Sequence, residues 1–489
     1  MKKTHLILFA AATCAITSLS TACKSKVKEK FEISISARSL VSEQNMLNIW
    51  KAEYEKAHPN VVVKVSGWGS NEGTSESYVL KNATNRKYLT NICYTTDDST
   101  ANLAMQKNFV DLRPYFEADP ETDYTKYYSS MLDTTSFYGE FRPTTNYKGS
   151  YECEKSDESQ YGVYFAPREY NMPAILCNVT LIKNELALPE EKANWNKDSL
   201  KNVLKRLGGG NESTEWNWPT FVAALKEISK KCETLNTSGD LGYRACEMNV
   251  HWEPVYTTIM KELGGDGLFA IDSRGEVSCN LGSDANKAAY ASIQTDFDKT
   301  ANPWMTDKDE GNDNFANRNI FMTFVSYPEV GSYYEAFKKV GYELGAVNIP
   351  CEYVGAGCGG YAIFVDRAKE VQKIKSGETA KTADLCWDFI KYIISKEGQN
   401  IAGKEGYIQP VLKELANTGD WLQSYDGNID NIAFETGTEL RLDSYCFAEP
   451  DMRNDLRLAI GQFFTYLFGS AGTDLSKTIS DVNDILAGK

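Results

Sequence analysis

The sequence predicts an α/β fold of two lobes joined by a hinge, and three observations lead to it. The chain has 489 residues, 42% of them hydrophobic and 24% charged, which suggests a globular protein of two or more domains. A strand–helix–strand pattern begins at Phe31. Two short apolar runs between Tyr161 and Asn178 flank a group of polar residues, as expected where a chain leaves one sheet and enters another.

The first element is a strand, because apolar side chains alternate along Phe31–Ala37. A helix follows, with apolar residues three and four positions apart between Met46 and Ala57, and Ser42 is the expected N-cap. Pro59 ends the helix, and Val61–Val65 is the second strand. Such a unit implies a parallel sheet with a right-handed crossover.

The hinge is predicted within Tyr161–Asn178. Val163–Ala166 forms a short strand, and Pro167 is expected to stop its pairing, because proline lacks the N–H donor. The polar residues Arg168–Tyr170 follow, and an apolar strand resumes at Ala174–Cys177. We therefore expect the polar residues to face the space between the lobes.

Composition and motifs exclude several function classes. The net charge of −15 argues against nucleic acid as a partner. A calcium loop starting at Asp307 would need Gly and Glu where Asn312 and Arg318 stand, and no C-x-x-C zinc pattern occurs, so no metal or other cofactor is predicted. No nucleophile elbow or H-E-x-x-H occurs either, which argues against an enzyme. An exported glycosidase stays open, since the sequence does not show whether two carboxylates lie together.

The N-terminus predicts export. Lys2 and Lys3 precede an apolar run at 6–16 that is too short to span a membrane, and a small residue precedes Cys23. This resembles a lipoprotein signal, although the leucine lies one place further out than usual. We expect a signal peptide at 1–22, lipid attachment at Cys23 and a tether over 23–30, with the protein on the cell membrane facing outward. A plain secretory signal is the alternative.

Twelve cysteines are present, and ten follow the signal region. Export permits disulfides, and the pairs nearest in sequence are Cys232 with Cys246 and Cys351 with Cys358. Free buried thiols are the alternative, because several cysteines lie inside apolar runs.

Several motifs carry a family resemblance. G-x-Y-x-x-P at Gly162–Pro167, followed by a strand ending in Asn178, resembles the first interlobe crossing of bacterial extracellular solute-binding proteins of family 1, the carbohydrate type. The W-x-x-x-Y-x-x-x-H-P-N pattern from Trp50 resembles the opening of these proteins, and the glycine-rich 355–360 resembles their second crossing. These and further motifs follow in the family's order over nearly all of the mature chain.

The resemblance implies a periplasmic-binding-protein-like fold of type II with discontinuous lobes. The N-terminal lobe would comprise 31–169 and 360–415, and the C-terminal lobe 173–358 and 416–489. It also implies a monomeric, non-enzymatic subunit of an ABC transporter that binds a carbohydrate between the lobes and delivers it to permease subunits. A sensor or adhesin that reuses the fold is the first alternative.

Candidate ligand-binding residues come from strand ends, the two crossings and a helix start. Trp68 is either a sugar platform or a ring folded over its own lobe. Asp97 and Asp98 either accept sugar hydroxyls or form turns. Trp252 is the preferred platform of the second lobe, ahead of His251, and Trp218 is expected in the core. The candidate set comprises Trp68, Asp97, Asp98, Arg168, Glu169, Tyr170, Trp252, Glu253, Tyr327, Gly360 and Tyr361.

Overall fold

The structure of the protein is a computed structural model. It describes residues 28–68, 75–96, 99–100, 103–104, 106–123, 126–127, 136–138, 161–237, 242–271, 277–297, 305–306, 315–425, 429–440, 450–469 and 473–488. The predicted signal peptide, Cys23 and most of the tether therefore lie outside the described residues.

The described strands and helices alternate along much of the chain. The strands are β1 (Phe31–Arg38), β2 (Val61–Trp68), β3 (Ile92–Thr96), β4 (Ser136–Tyr138), β5 (Tyr161–Val163), β6 (Ala166–Asn171), β7 (Ala174–Asn178), β8 (Arg244–Glu247), β9 (Phe269–Ile271), β10 (Val277–Cys279), β11 (Met305–Thr306), β12 (Ile320–Val325), β13 (Leu344–Val347), β14 (Tyr353–Gly355), β15 (Gly357–Ile363), β16 (Val371–Lys373), β17 (Thr379–Lys381) and β18 (Thr438–Leu440).

The helices are α1 (Val41–Ala57), α2 (Ser75–Lys81), α3 (Arg113–Ala118), α4 (Val179–Glu185), α5 (Pro189–Ala193), α6 (Ser199–Leu207), α7 (Trp218–Thr237), α8 (Glu253–Glu262), α9 (Asp284–Phe297), α10 (Tyr327–Lys338), α11 (Val365–Ala368), α12 (Thr382–Ile394), α13 (Lys396–Lys404), α14 (Pro450–Phe468) and α15 (Leu475–Leu486). Short 3₁₀ helices occur at Arg86–Tyr88, Pro120–Thr122, Lys413–Leu415, Asp420–Gln423 and Asn431–Phe434. None of these helices combines the length and the apolar character needed to cross a membrane.

Two five-stranded sheets form the centres of the two lobes, which confirms the predicted α/β two-lobed fold. The first has the order β2-β1-β3-β15-β6, and the second has the order β11-β8-β12-β7-β13. In the first sheet β1 pairs in parallel with β2 and β3, while β15 runs antiparallel to β3 and β6. The predicted β1–α1–β2 unit is present, with Ile33 opposite Val63 in the register.

The chain passes between the sheets as discontinuous lobes require. It leaves the first sheet after β6 and enters the second at β7, across Met172 and Pro173. It returns from β13 to β15, the second predicted crossing. After α13, Gln409 forms a β-bridge with Tyr170 of the first sheet. Trp421 packs in the core of the second lobe, so the chain crosses a third time between Gln409 and Trp421.

Three local predictions are wrong. The predicted strand Val163–Ala166 does not form as one element, because β5 ends at Val163 and β6 begins at Ala166. Pro167 does not stop the pairing, because it lies inside β6, opposite Gly360 at a register shift. β6 is the edge strand of its sheet, and an edge strand tolerates a missing N–H donor. Ser42 is not the N-cap of α1, because the helix already begins at Val41 with Leu40 at the cap and no side-chain cap bond.

Other local predictions are confirmed. The amide oxygen of Asn217 accepts from the backbone N–H of Thr220 at 3.1 Å, so Asn217 caps α7 as expected. Trp218 is 3% exposed and packs against Phe221 and Phe297, which places it in the core.

Candidate functional site: the interlobe cleft

A cleft of 1730 Å³ lies between the two sheets and is lined by both lobes. On the first sheet it begins where β1, β3 and β6 end, and these strands run in the same direction. On the second it meets the loop after β8 and the start of α10. Open α/β sheets bind ligands beyond the carboxyl ends of their strands, so the cleft is in the expected place.

The lining side chains are mainly polar and aromatic. The first lobe, including the crossing, contributes Arg38, Leu40, Val41, Ser42, Glu43, Asn45, Met46, Tyr94, Thr96, Arg168, Glu169 and Asn171. The rest of the chain contributes Asn249, His251, Trp252, Ala316, Ser326, Pro328, Glu329, Gly331, Ser332, Tyr333, Tyr334, Glu335, Ala336, Lys338, Lys404, Glu405, Gly406, Tyr407, Asp420, Gln423, Ser424 and Tyr425.

A chain of ion pairs lies on the first-lobe side of the cleft. At the end of β1, Arg38 Nε donates to Glu43 Oε1 at 2.9 Å, and Nη2 donates to the same oxygen. Glu43 lies in the first turn of α1, where the helix dipole favours a negative charge. Arg168 Nη2 approaches Glu43 Oε1 at 3.6 Å and so continues the chain to β6.

Arg168 is held by its sequence neighbour and by two tyrosines. Its Nε donates to Glu169 Oε2 at 3.0 Å, and its Nη2 donates to the same oxygen. The guanidinium lies 4.1 Å from the ring centroid of Tyr94 and 5.6 Å from that of Tyr361, which is cation–π geometry. The side chain is thus fixed although it is 1% exposed.

The pKa values of this group follow from burial and charge. Burial by itself lowers the pKa of Arg168, but Glu169 and the neighbouring tyrosines hold that pKa well above its ordinary value. Burial and then the Glu169 carboxylate raise the pKa of the Tyr94 hydroxyl well above its ordinary value. Arg168 therefore stays charged and Tyr94 stays neutral at ordinary pH.

The second-lobe side carries an aromatic wall. Trp252 is the N-cap residue of α8 and is half-buried, so part of its ring faces the cleft. Tyr333, Tyr334 and Tyr425 line the same side. Aromatic faces of this kind provide flat apolar surfaces beside polar groups, which suits a ligand with an apolar face and hydroxyl edges.

The structure places three of the predicted residues in the cleft. Arg168, Glu169 and Trp252 all line it, the first two from the crossing strand β6 and the third from the opposite lobe. His251, the weaker candidate, also lines the cleft.

Two predicted platforms are instead buried within their own lobes. Trp68 is 3% exposed and stacks on Tyr78 with centroids 4.9 Å apart, so of the two predicted positions the ring takes the one over its own lobe. Tyr327 is fully buried, and its hydroxyl shares a 2.9 Å hydrogen bond with Ser424. The expectation that Tyr327 faces the cleft is wrong because α10 begins at this residue and turns the ring inward.

Four further candidates lie beside the cleft and do not line it. Tyr361 is fully buried behind Arg168, whose Nη1 lies 3.4 Å from its hydroxyl. A Cβ at Gly360 would overlap the carbonyl oxygen of Ala166, so packing accounts for this glycine. Tyr170 is buried, and its backbone N–H donates to Gln409 O.

Glu253 also faces away from the cleft. It is buried between α8 and α14, with Arg457 Nε at 3.6 Å from Oε2. Asp97 and Asp98 lie outside the described residues, as do Asp307, Asp309 and Asp313 of the rejected calcium loop.

Among the described residues, free thiols are found at seven cysteines, namely Cys93, Cys177, Cys232, Cys246, Cys279, Cys351 and Cys386. Cys232, Cys246 and Cys351 are all free and buried, so of the two alternatives the free buried thiol holds for these residues. Burial raises the pKa of the Cys246 and Cys351 thiols well above the ordinary value. Within the described ranges no cluster of His, Cys, Asp or Glu has the arrangement of a metal site.

Sequence reasoning missed Arg38, Glu43 and Tyr94. Arg38 ends β1 and Tyr94 lies near the end of β3. Ligands bind beyond the carboxyl ends of strands in such sheets, so the positions of both residues at strand ends were a usable signal, as for Trp68. Glu43 lies in the first turn of α1, a position that by itself indicates helix capping and no binding site. The signal that identifies it, a contact with Arg168, joins residues 125 positions apart and is not visible in a local pattern.

Comparisons with known proteins place the chain in a family. The model of the family described as bacterial extracellular solute-binding protein matches residues 50–427. A comparison with curated proteins gave no match.

Solved structures show the same fold at low sequence identity. An ABC substrate-binding protein from Listeria monocytogenes in complex with cycloalternan is 13% identical, with a TM-score of 0.64 over 94% of this chain and 99% of that one. The sugar-binding protein MalE from Xanthomonas citri is 12% identical, with a TM-score of 0.63 over 94% and 98%. The cyclic alpha-maltosyl-1,6-maltose binding protein from Arthrobacter globiformis is 12% identical, with a TM-score of 0.62 over 94% and 100%.

Proposed function

The chain belongs to the bacterial extracellular solute-binding proteins, and we propose that it captures a carbohydrate in the interlobe cleft and delivers it to the permease of an ABC transporter. The observation that carries the proposal is the cleft itself. It joins an aromatic wall on one side to fixed polar groups on the other, and three structural neighbours of the same fold are described as binding sugars or oligosaccharides.

The physical basis of capture is stacking combined with hydrogen bonding. The apolar face of a pyranose would pack on Trp252 and the tyrosines, while hydroxyls would meet Glu43, Glu169 and the other polar groups. A ligand that contacts both lobes binds the closed form better than the open form and so shifts the hinge toward closure. The permease would then recognise the closed form.

The anchor is part of the proposal. Lipid attachment at Cys23 would hold the protein at the membrane beside the permease, because diacylation together with an amide-linked chain exceeds what stable anchoring needs. Labelling of growing cells with a lipid precursor tests this point. The wild-type protein should be labelled, and the Cys23→Ala variant should not be.

A thermal-shift screen tests ligand capture. The chain from residue 24 onward would be screened against mono- and oligosaccharides, polyols, amino acids and peptides. A ligand at 100 times its Kd should add about 2.7 kcal/mol to the free energy of unfolding. A sugar that is recovered intact by mass spectrometry supports capture, whereas a hydrolysed sugar supports the glycosidase alternative.

Transport needs a separate test in cells. Uptake of the labelled ligand should fall when the gene for this chain is deleted and should return when the gene is restored. Normal uptake in the deletion strain, together with a ligand-dependent change in gene expression or adhesion, would favour the sensor or adhesin alternative.

A further inference from the structure

A small β-hairpin lies beside the point where the predicted tether meets the first lobe. Its strands β16 and β17 pair antiparallel. Lys28, the first residue that the structure describes, forms a parallel β-bridge with Ile374. The carbonyl oxygen of Lys28 also accepts from the backbone N–H of Lys375 at 3.0 Å. The hairpin therefore holds the chain at the place where it enters the lobe.

Gln372 of β16 fastens the hairpin to β1. This side chain is 4% exposed. Its Oε1 accepts from the backbone N–H of Glu32 at 2.9 Å, and its Nε2 donates to Glu32 O at 2.7 Å. The same Nε2 donates to Thr382 Oγ1 at 3.1 Å. Because these bonds hold one buried side chain from two directions, the hairpin has a fixed position at the start of the first strand.

The other face of the hairpin is turned to solvent. Side chains alternate between the two faces of a strand, so Val371 and Lys373 point away from the buried Gln372. In the register Val371 lies opposite Lys381, and Lys373 lies opposite Thr379. All four are exposed, Val371 at 62%. These four residues form the basal face, which presents one apolar side chain between two lysines and carries no carboxylate.

The charge of this region is opposite to that of the whole chain. Residues 28–30 and 369–381 contain six lysines and three glutamates, a net charge of +3, whereas the whole chain carries −15. Lys375 Nζ pairs with Glu29 Oε1 at 2.6 Å. Lys373 and Lys381 have no carboxylate partner among the residues that the structure describes. The basal face thus leaves two cations available to an external anion.

The proposed lipid lies within reach of the basal face. Five residue steps separate Cys23 from Lys28, and an extended chain spans at most about 3.6 Å per residue, so the lipid-bearing residue stays within about 18 Å of Lys28. The cleft lies at the other end of β1. This strand runs for about 23 Å from Phe31, beside the hairpin, to Arg38, which lines the cleft.

We propose that the basal face rests on the anionic lipid headgroups of the membrane that holds the anchor, and that this contact orients the first lobe on the bilayer. The inference rests on the lipid attachment that is part of the proposed function. The lipid chains keep the protein at the membrane and concentrate the basal face at the headgroups. An anionic surface attracts nearby lysines, and the exposed Val371 between them enters the boundary of the acyl region.

Acetylation of lysines on vesicles tests the contact. The lipid-modified protein would be bound to preformed vesicles of phosphatidylcholine, either alone or with about one-third phosphatidylglycerol, and treated briefly with an amine-reactive reagent. Mass spectrometry would compare Lys373 and Lys381 with Lys230 and Lys287, which are exposed on the second lobe.

The expected result is protection of the basal face alone. On the anionic vesicles Lys373 and Lys381 should be labelled at least about threefold more slowly than on the neutral ones, and Lys230 and Lys287 should not change. Sodium chloride at about 0.5 M should remove the protection, because it shortens the Debye length to about 4 Å.

Lys381→Glu tests the charge of the basal face, with Lys373 as the reporter. On the anionic vesicles the variant should label Lys373 at least about twofold faster than the wild-type protein does. Lys287→Glu is the matched control, because it makes the same change of charge at an exposed position of the second lobe. The control should keep the protection, and both variants should keep the wild-type melting temperature.

The outcomes separate this inference from the function on which it rests. Equal labelling of Lys373 and Lys381 on the two kinds of vesicle overturns the inference and leaves lipid attachment and ligand capture intact. Protection in intact cells without protection on anionic vesicles also overturns it, because the partner would then be a protein. Absence of lipid on Cys23 in labelled cells overturns the anchor and this inference together.

Discussion

The hydroxyl of Tyr94 donates to Glu169 Oε1 at 3.0 Å and thereby ties β3 to the strand that crosses between the lobes. The same tyrosine ring lies under the Arg168 guanidinium, so one side chain supports both members of the buried ion pair. The pair lines the cleft, and these contacts fix its position before any ligand binds. Preorganisation of this kind lowers the entropic cost of binding.

Trp252→Ala should abolish carbohydrate binding while changing the melting of the ligand-free protein little. The ring is half-buried, so its removal costs much less than the about 3–5 kcal/mol of a fully buried tryptophan. Calorimetric titration and thermal melting measure the two effects. Trp218→Ala, in the core, is the opposite control and should lose about 3–5 kcal/mol of unfolding free energy. A comparable loss for Trp252→Ala would place that ring in the core too.

Arg168→Met should destabilise the protein by about 3–5 kcal/mol, because it leaves the buried Glu169 carboxylate without its ion-pair partner. Urea unfolding measures the change. Arg206→Met is the control, since Arg206 pairs with Glu191 near the surface, and its loss should stay within about 1 kcal/mol. Similar losses for the two variants would show that the Arg168 pair is not as buried as the geometry indicates.

Tyr327→Phe should lower stability by about 1 kcal/mol and leave ligand affinity unchanged. The hydroxyl bonds to Ser424, and the ring packs among Trp421 and Phe434 away from the cleft. Chemical denaturation and calorimetric titration with the same ligand measure both quantities. A loss of affinity at unchanged stability would restore Tyr327 as a ligand contact.

Lys391→Met should lower stability at pH 7 by about 0.3–1 kcal/mol, with a difference from wild type that shrinks in acid. Lys391 Nζ donates to Asp119 Oδ2 at 2.9 Å, and this bond lowers the pKa of Asp119. A carboxylate with a lowered folded pKa stabilises the protein above its unfolded pKa of about 3.9 and loses that contribution as the pH falls through the folded value.

Denaturant unfolding from pH 7 down to pH 2 checks the sign of this dependence. Lys391→Arg keeps the ion pair and should follow the wild-type curve. A difference that stays constant down to pH 2 would mean that Lys391 stabilises the protein through packing and not through Asp119.

Local periodicity was enough to predict the first three elements of the first lobe. The alternation of Phe31–Ala37, the helical spacing up to Ala57 and the strand at Val61 each depend on neighbours within a few residues, and all three elements are present. The crossing at Met172 and Pro173 falls within the predicted hinge, Tyr161–Asn178, where polar residues and a proline separate two apolar runs. Arg168, Glu169 and Trp252 reached the candidate set through their positions in these patterns.

The direction of each candidate side chain was decided only by the tertiary structure. Tyr327 turns inward because residues about a hundred positions later, Ser424 and Trp421, form its pocket, and Trp68 turns inward because Tyr78 stacks on it. Glu43 enters the site because the pairing of distant strands brings Arg38 and Arg168 to the same edge of the sheet. The sequence by itself determined which elements form and where the lobes join, since those depend on local periodicity. Which side chains face the cleft depends on contacts between remote segments, which exist only in the folded chain.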